Sequence, residues 1–109
     1  MSDKSVAKGK AINLAGLVDY STGSIVSRTL VDRKTGTITL FAFDRGQGLS
    51  EHTAPFDAVV QIVEGEGRLT VGGKSVRAKL GDFVIMPANV PHSVKAVRRF
   101  KMLLVMIRS

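Results

Sequence analysis

From residue 24 onward the chain breaks into short β-like segments separated by turn residues, and no other feature limits its fold so tightly. "SIVSRTLV" (24–31) alternates Ile25, Ser27 and Thr29 against Val26, Arg28 and Leu30. "DRKTG" (32–36) carries turn chemistry, and "TITLFAF" (37–43) resumes the β-branched and aromatic alternation. After "DRGQG" come "AVVQIVEG" (58–65) and "RLTVGGKSVRA" (68–78), the latter with Gly72-Gly73 as a two-residue hairpin loop. "FVIMP" (83–87), "PHSVKAV" (91–97) and "FKMLLVMI" (100–107) complete the series. Alternation sends successive side chains to opposite faces of a sheet, so each segment can bury one face. Eight or so such strands predict an all-β sandwich or barrel. Only "INLAGLVDY" (12–20), with Leu14, Leu17 and Val18 at helical spacing, predicts a short helix.

The 109 residues allow one hydrophobic core, read as a polar arm over residues 1–11 and a single domain over 12–109. The chain has no cysteine, which excludes disulfides, thiolate nucleophiles and Cys-ligated zinc. Its longest apolar run, 102–107, is too short to cross a bilayer. The N-terminus lacks the apolar core of a signal peptide, so a cytoplasmic protein with no membrane partner is expected. The net charge of +7 raises the question of nucleic acid. The basic residues are spread out, however, and the densest group (Lys95, Arg98, Arg99 and Lys101) has no aromatic platform beyond Phe100 and no recognition helix. A solvated basic surface is expected there, and no nucleic-acid partner.

The chemistry concentrates on the chain's two histidines, His52 and His92. A buried imidazole left without a partner costs about 1–3 kcal/mol, and few polar side chains are placed to satisfy these two. A ligand or solvent at an open site is therefore expected. "GQG" and "GEG" are followed by no helix and read as turns, not phosphate loops. Ser24, Ser27 and Ser50 lie in no recognisable triad context.

The two histidine segments resemble the motifs of the small, single-domain, RmlC-like cupins. The first cupin motif runs glycine, five residues, His-x-His, three or four residues, glutamate, six residues, glycine. Over about 46–65, Gly46, His52 and Gly65 match it. The second runs glycine, five residues, Pro-x-Gly, two residues, histidine, three residues, asparagine. Over about 81–96, Gly81, Pro87 and His92 match it, with Asn89 at the usual glycine. The resemblance implies a cupin jelly-roll β-barrel. It also places Ala54 at the second histidine position, Ala58 at the glutamate and Ala96 at the asparagine, so the metal motif is degenerate. Even spacing puts His52, Ala54 and Ala58 on one face, and His92, Val94 and Ala96 on another, looking into one interior.

The resemblance and the residues together imply a small-molecule-binding cupin whose pocket is formed by His52, Ala54, Ala58, Met86, His92, Ala96 and Met102. Two imidazoles leave most of a coordination sphere to water, so no tightly bound cofactor is expected; His52 and His92 could hold nickel, zinc or iron weakly. The alternative is a metal-assisted enzyme of the dioxygenase, isomerase or lyase class, with His52 and His92 as the catalytic candidates. A sensory module is disfavoured because no DNA-binding domain accompanies it. Strands 58–65 and 100–107 are apolar on both faces, which predicts a homodimer paired through the outer sheet face. The ligand's identity, and whether there is catalysis, lie beyond the sequence.

Overall fold

Fourteen residues of β-forming sequence with no proline, Ala58–Val71, make one long strand from which the rest of the barrel is hung. The structure, a computed structural model, describes residues 6–108. Its strands are β1 (Ile25–Arg33), β2 (Gly36–Phe43), β3 (Gly48–His52), β4 (Ala58–Val71), β5 (Lys74–Lys79), β6 (Phe83–Met86), β7 (His92–Lys95) and β8 (Phe100–Ile107). All pairings are antiparallel. One sheet runs β1-β2-β8-β4-β6 and the other β5-β4-β7-β3, so β4 belongs to both. This is the all-β jelly-roll arrangement expected from the sequence.

The hinge between the sheets lies within β4. Ala58, Val60 and Ile62 face inward in its first half, whereas Gly67 and Leu69 do so in its second. The register slips between Ile62 and Glu64 where β4 runs beside β8, and Gly65 takes a φ of 73°. One extra residue exchanges the inward and outward sets and bends the strand. The bend carries β4 from one sheet into the other. Phe100 lies directly over this point, and a Cβ on Gly67 would meet its ring at 2.6 Å.

The core is the lining of the two sheets: Phe43, Ala58, Val60, Ile62, Leu69, Ala78, Met86, Val94, Ala96, Phe100 and Met102. Phe43 and Phe100 stack at 4.8 Å between ring centroids. The Gly72-Gly73 turn forms as expected, with φ of 57° and 82°, joining Val71 to its register partner Lys74. The expected helix over 12–20 shortens to a single 3-10 turn at Leu14–Leu17, capped by Asn13.

That N-terminal segment lies on the outside of the first sheet. Leu14, Leu17, Val18 and Tyr20 pack on Leu40, Ala42, Val63 and Leu103. Part of the apolar outer face expected to await a partner is thus covered by the chain itself. A polar clamp holds the segment down. Lys101 Nζ donates to the Ala15 carbonyl at 2.6 Å, and Tyr20 Oη donates to Glu64 Oε2 at 2.5 Å. Burial, and then the bond to Glu64, hold the Tyr20 hydroxyl above its usual range, so it remains a donor. Arg99 Nε meets Asp44 Oδ1 at 2.7 Å, and the Gly23 N–H meets Asp44 Oδ2 at 2.6 Å. The expectation of a uniformly solvated basic surface is corrected here. Lys101 is buried and Arg99 is committed to Asp44.

Hydrogen bonding by Arg99, and then by the Gly23 N–H, pushes the Asp44 carboxyl down from 3.8 to about 2. A carboxyl lowered in the folded state stabilises the fold above its unfolded pKa and loses that contribution as pH falls through the folded one. Thermal stability should therefore hold above about pH 4 and decline towards pH 2, on top of any general acid effect. Asp44→Asn should be less stable at neutral pH and show a flatter acid limb. Melting curves of both proteins across that range check this; parallel acid limbs would contradict it.

Candidate functional site

His92 opens β7, and its position follows from alternation: His92, Val94 and Ala96 are buried while Ser93 and Lys95 face out. His52 closes β3 and is exposed. The β3–β7 register sets His52 opposite His92 after a slip beyond Leu49. Directly opposite residues of an antiparallel pair share one sheet face. The two imidazoles consequently meet edge to face, with centroids 4.4 Å apart and Nε2 atoms 3.1 Å apart.

The other nitrogens fix which atoms face each other. His52 Nδ1 lies 2.8 Å from the Ser50 carbonyl oxygen, and His92 Nδ1 lies 3.1 Å from that of Val90. A carbonyl oxygen only accepts, so in both rings Nδ1 is the protonated nitrogen. Each neutral ring then presents an Nε2 lone pair to the other. Two lone pairs at 3.1 Å repel unless a cation stands between them, either a proton that makes one ring an imidazolium or a metal ion.

The metal that the cupin resemblance implies is testable on this geometry. Nitrogens bound to one ion at about 2.0–2.1 Å, with an angle of about 95–100° at the ion, lie about 3.1 Å apart. The pair therefore fits two adjacent positions of a coordination sphere, and its Nδ1–H···O=C bonds are those that orient ligating imidazoles. No further ligand joins them: among the described residues no group of three or more His, Cys, Asp or Glu side chains could hold a metal. When bound, a divalent ion would supply Lewis acidity, with the remaining positions left to water or a small molecule.

The other candidate residues lie deeper or to the side. Ala58, Met86, Ala96 and Met102 are packed into the core, none more than 3% exposed. Ala58 lies between its register partners Met86 and Met106. Ala54 is half-buried, in the connection over residues 53–57 and not on a strand, and its carbonyl accepts from the Asn89 N–H at 2.8 Å. Asn89 has a φ of 63°, and it is the one described non-glycine residue in the left-handed region. Asparagine tolerates that conformation better than other residues bearing a Cβ, which explains how it stands at a glycine position.

Asp57 accepts from the Ala88 N–H at 2.8 Å. It ties the connection after His52 to the one before His92. The spacing from His52 gave no sign of this role, because residues 53–57 do not continue the strand.

These observations define a β-barrel protein with an opposed histidine pair near the end of its second sheet. A cupin-domain family model matches residues 39–107, well over half of the chain, and the chain belongs to the cupin family. A search of curated proteins gives no match. Among solved structures it is similar to a conserved protein of unknown function from Streptococcus pyogenes. That match has 36% identity and a TM-score of 0.90, covering 95% of this chain and 91% of the other. A cupin 2 conserved barrel domain protein from Leptotrichia buccalis is 41% identical with a TM-score of 0.85, covering 88% of this chain and 47% of that one. An RmlC-like cupin from Shewanella frigidimarina, 21% identical with a TM-score of 0.75 over 80% of this chain and 78% of its own, shares the fold. No helix of the described residues is long and apolar enough to cross a membrane.

Removing the Asp57 carboxylate should free the Ala88 N–H and loosen both connections beside the histidines. Asp57→Ala is expected to lower stability by about 1 kcal/mol, the net worth of a hydrogen bond whose partners solvent can reach. Amide exchange at Ala88 should accelerate while exchange in β4 keeps its order of protection. Unchanged exchange at Ala88 would show that the bond carries no weight.

Proposed function

We propose that this cupin binds a small molecule at the His52–His92 pair, with a weakly held divalent metal ion between the two Nε2 atoms as the anchor. The observation that carries the reading is the pinning of both Nδ1 atoms by backbone carbonyls, which leaves two Nε2 atoms converging at 3.1 Å. His52 is exposed and His92 buried, so a ligand arrives on the His52 side. Ala54, half-buried in the connection after His52, is the small residue placed to flank it.

Calorimetric titration of zinc and nickel into the wild type, His52→Ala and His92→Ala tests this. Weak binding is expected in the wild type and loss in either variant. Affinity should fall on acidification, because protons compete for the same lone pairs. Equal binding by all three proteins would refute the site. The enzyme alternative also draws on the pair, since a pinned Nδ1–H fixes Nε2 as the basic atom of His52. A stoichiometric metal that survives dialysis against chelator would place that alternative first.

We also propose that the protein is a homodimer. Below the patch covered by the N-terminal segment, Ile85, Val59, Val105, Ile38 and Val31 stand opposite one another in register across β6, β4, β8, β2 and β1. Phe83 and Ile107 flank this row at 63% and 57% exposure. An apolar row crossing five strands is the surface that a twofold-related copy can cover with its own. Light scattering should give a dimer for the wild type and a folded monomer for Ile85→Lys. A monomeric wild type at micromolar concentration would overturn the assignment.

A further inference from the structure

The outer face of the second sheet carries an arrangement that the histidine site does not use. Arg77 on β5 is the register partner of Arg68 on β4, and Arg68 is the register partner of Lys95 on β7. All three are exposed. Neighbouring strands lie about 4.8 Å apart, so three cations are set within a width of about 10 Å. Like charges directly opposite each other on a sheet are destabilising. Among the described residues the one carboxylate paired with this row is Glu66, 3.7 Å from Arg77, and both side chains are at least half exposed, so solvent weakens that pair. Among the described residues, Arg68, Lys95 and Arg98 have no carboxylate partner.

A groove of about 490 Å³ adjoins this row. Arg68, Arg77, Arg98 and Arg99 line it together with Val97 and a single carboxylate, Glu66, and Gly65 and Gly67 contribute backbone to its floor. Arg99 is held in place by Asp44, so one wall of the groove is already fixed. Guanidinium groups bind phosphate oxygens through paired hydrogen bonds, and converging arginines suit an anion bearing several such oxygens. Sheet positions that break a local rule without compensation within the chain are where a function outside the fold is to be sought.

We propose that this groove is a binding site for a small, multiply charged phosphate anion of the diphosphate type, held by Arg68, Arg77 and Arg98. A nucleic-acid strand is the poorer occupant, because the groove offers no aromatic side chain on which a base could stack. The site is on the opposite face of the sheet from the histidine pair. Its ligand is therefore bound independently of any metal there.

The test is calorimetric titration of inorganic pyrophosphate into the full chain at constant ionic strength, with the wild type, Arg68→Gln, Arg98→Gln and Lys34→Gln compared. Lys34→Gln removes the same charge from the β1–β2 turn. Saturable binding to the wild type is expected, weakened about tenfold or more by Arg68→Gln and by Arg98→Gln and little changed by Lys34→Gln. Without pyrophosphate, Arg68→Gln should raise Tm, since it relieves the like-charge row; a fall would overturn that premise. The proposal is overturned by the absence of saturable binding, or by an equal loss in Lys34→Gln. It is also overturned if a mixed-sequence single-stranded oligonucleotide binds through the same arginines while pyrophosphate does not.

Discussion

Every strand in this molecule is paired to β4, directly or through at most two others. Its first half hydrogen-bonds to β6 and β8, and its second half to β5 and β7. Only β1, β2 and β3 lie beyond it, each reached through β8 or β7. A single strand can serve two sheets only if it bends, and the slip near Glu64, with Gly65 at positive φ, supplies the bend. Reversal of the inward set at that point lets Val60 and Leu69, of opposite parity, fill the same core. The Phe100 ring, stacked on Phe43, then occupies the space that Gly67 leaves open.

The sequence conveyed the strands by their alternation and the hairpin by its two glycines, because both signals are local. It was less clear where a signal depends on partners distant in the chain. Segments 58–65 and 68–78 read as separate strands because "GEG" has turn composition, yet β4 runs through it, held by β8 on one side and β5 on the other. β3 gave almost no apolar alternation, since "GLSEH" is an edge strand with one neighbour. The histidines were legible as a pair from motif spacing alone. Their tautomers were not, because these depend on the carbonyls of Ser50 and Val90, whose positions only the folded turns define. The inward placement of Ala54 assumed a strand continuing past His52, and the chain instead turns there.

Charge shows the same division between local and tertiary information. Counting residues gives +7, but the count does not separate Lys101, sealed beneath the N-terminal segment, from Arg68 on an open sheet face. Burial of Lys101 is tolerated because the Ala15 carbonyl, Glu64 and the face of Tyr20 surround its ammonium group. A buried cation without such neighbours would be strongly destabilising. The N-terminal segment is thus held by apolar contact at Leu14, Leu17 and Val18 and located by the polar groups at its margin. Neither interaction is visible in the local pattern of residues 12–20.

The two imidazoles sit on strands of unequal anchorage: β7 is gripped by β4 and β3, while β3 is an outer strand held by β7 alone. His52 and His92 are 40 positions apart in the chain. Whatever spans their Nε2 atoms therefore closes a long loop and rivets a strand held on one side to one held on both. In a chain without cysteine, that junction is a place where a reversible cross-link could do what a disulfide does elsewhere, restricting the freedom of an otherwise open circuit of backbone.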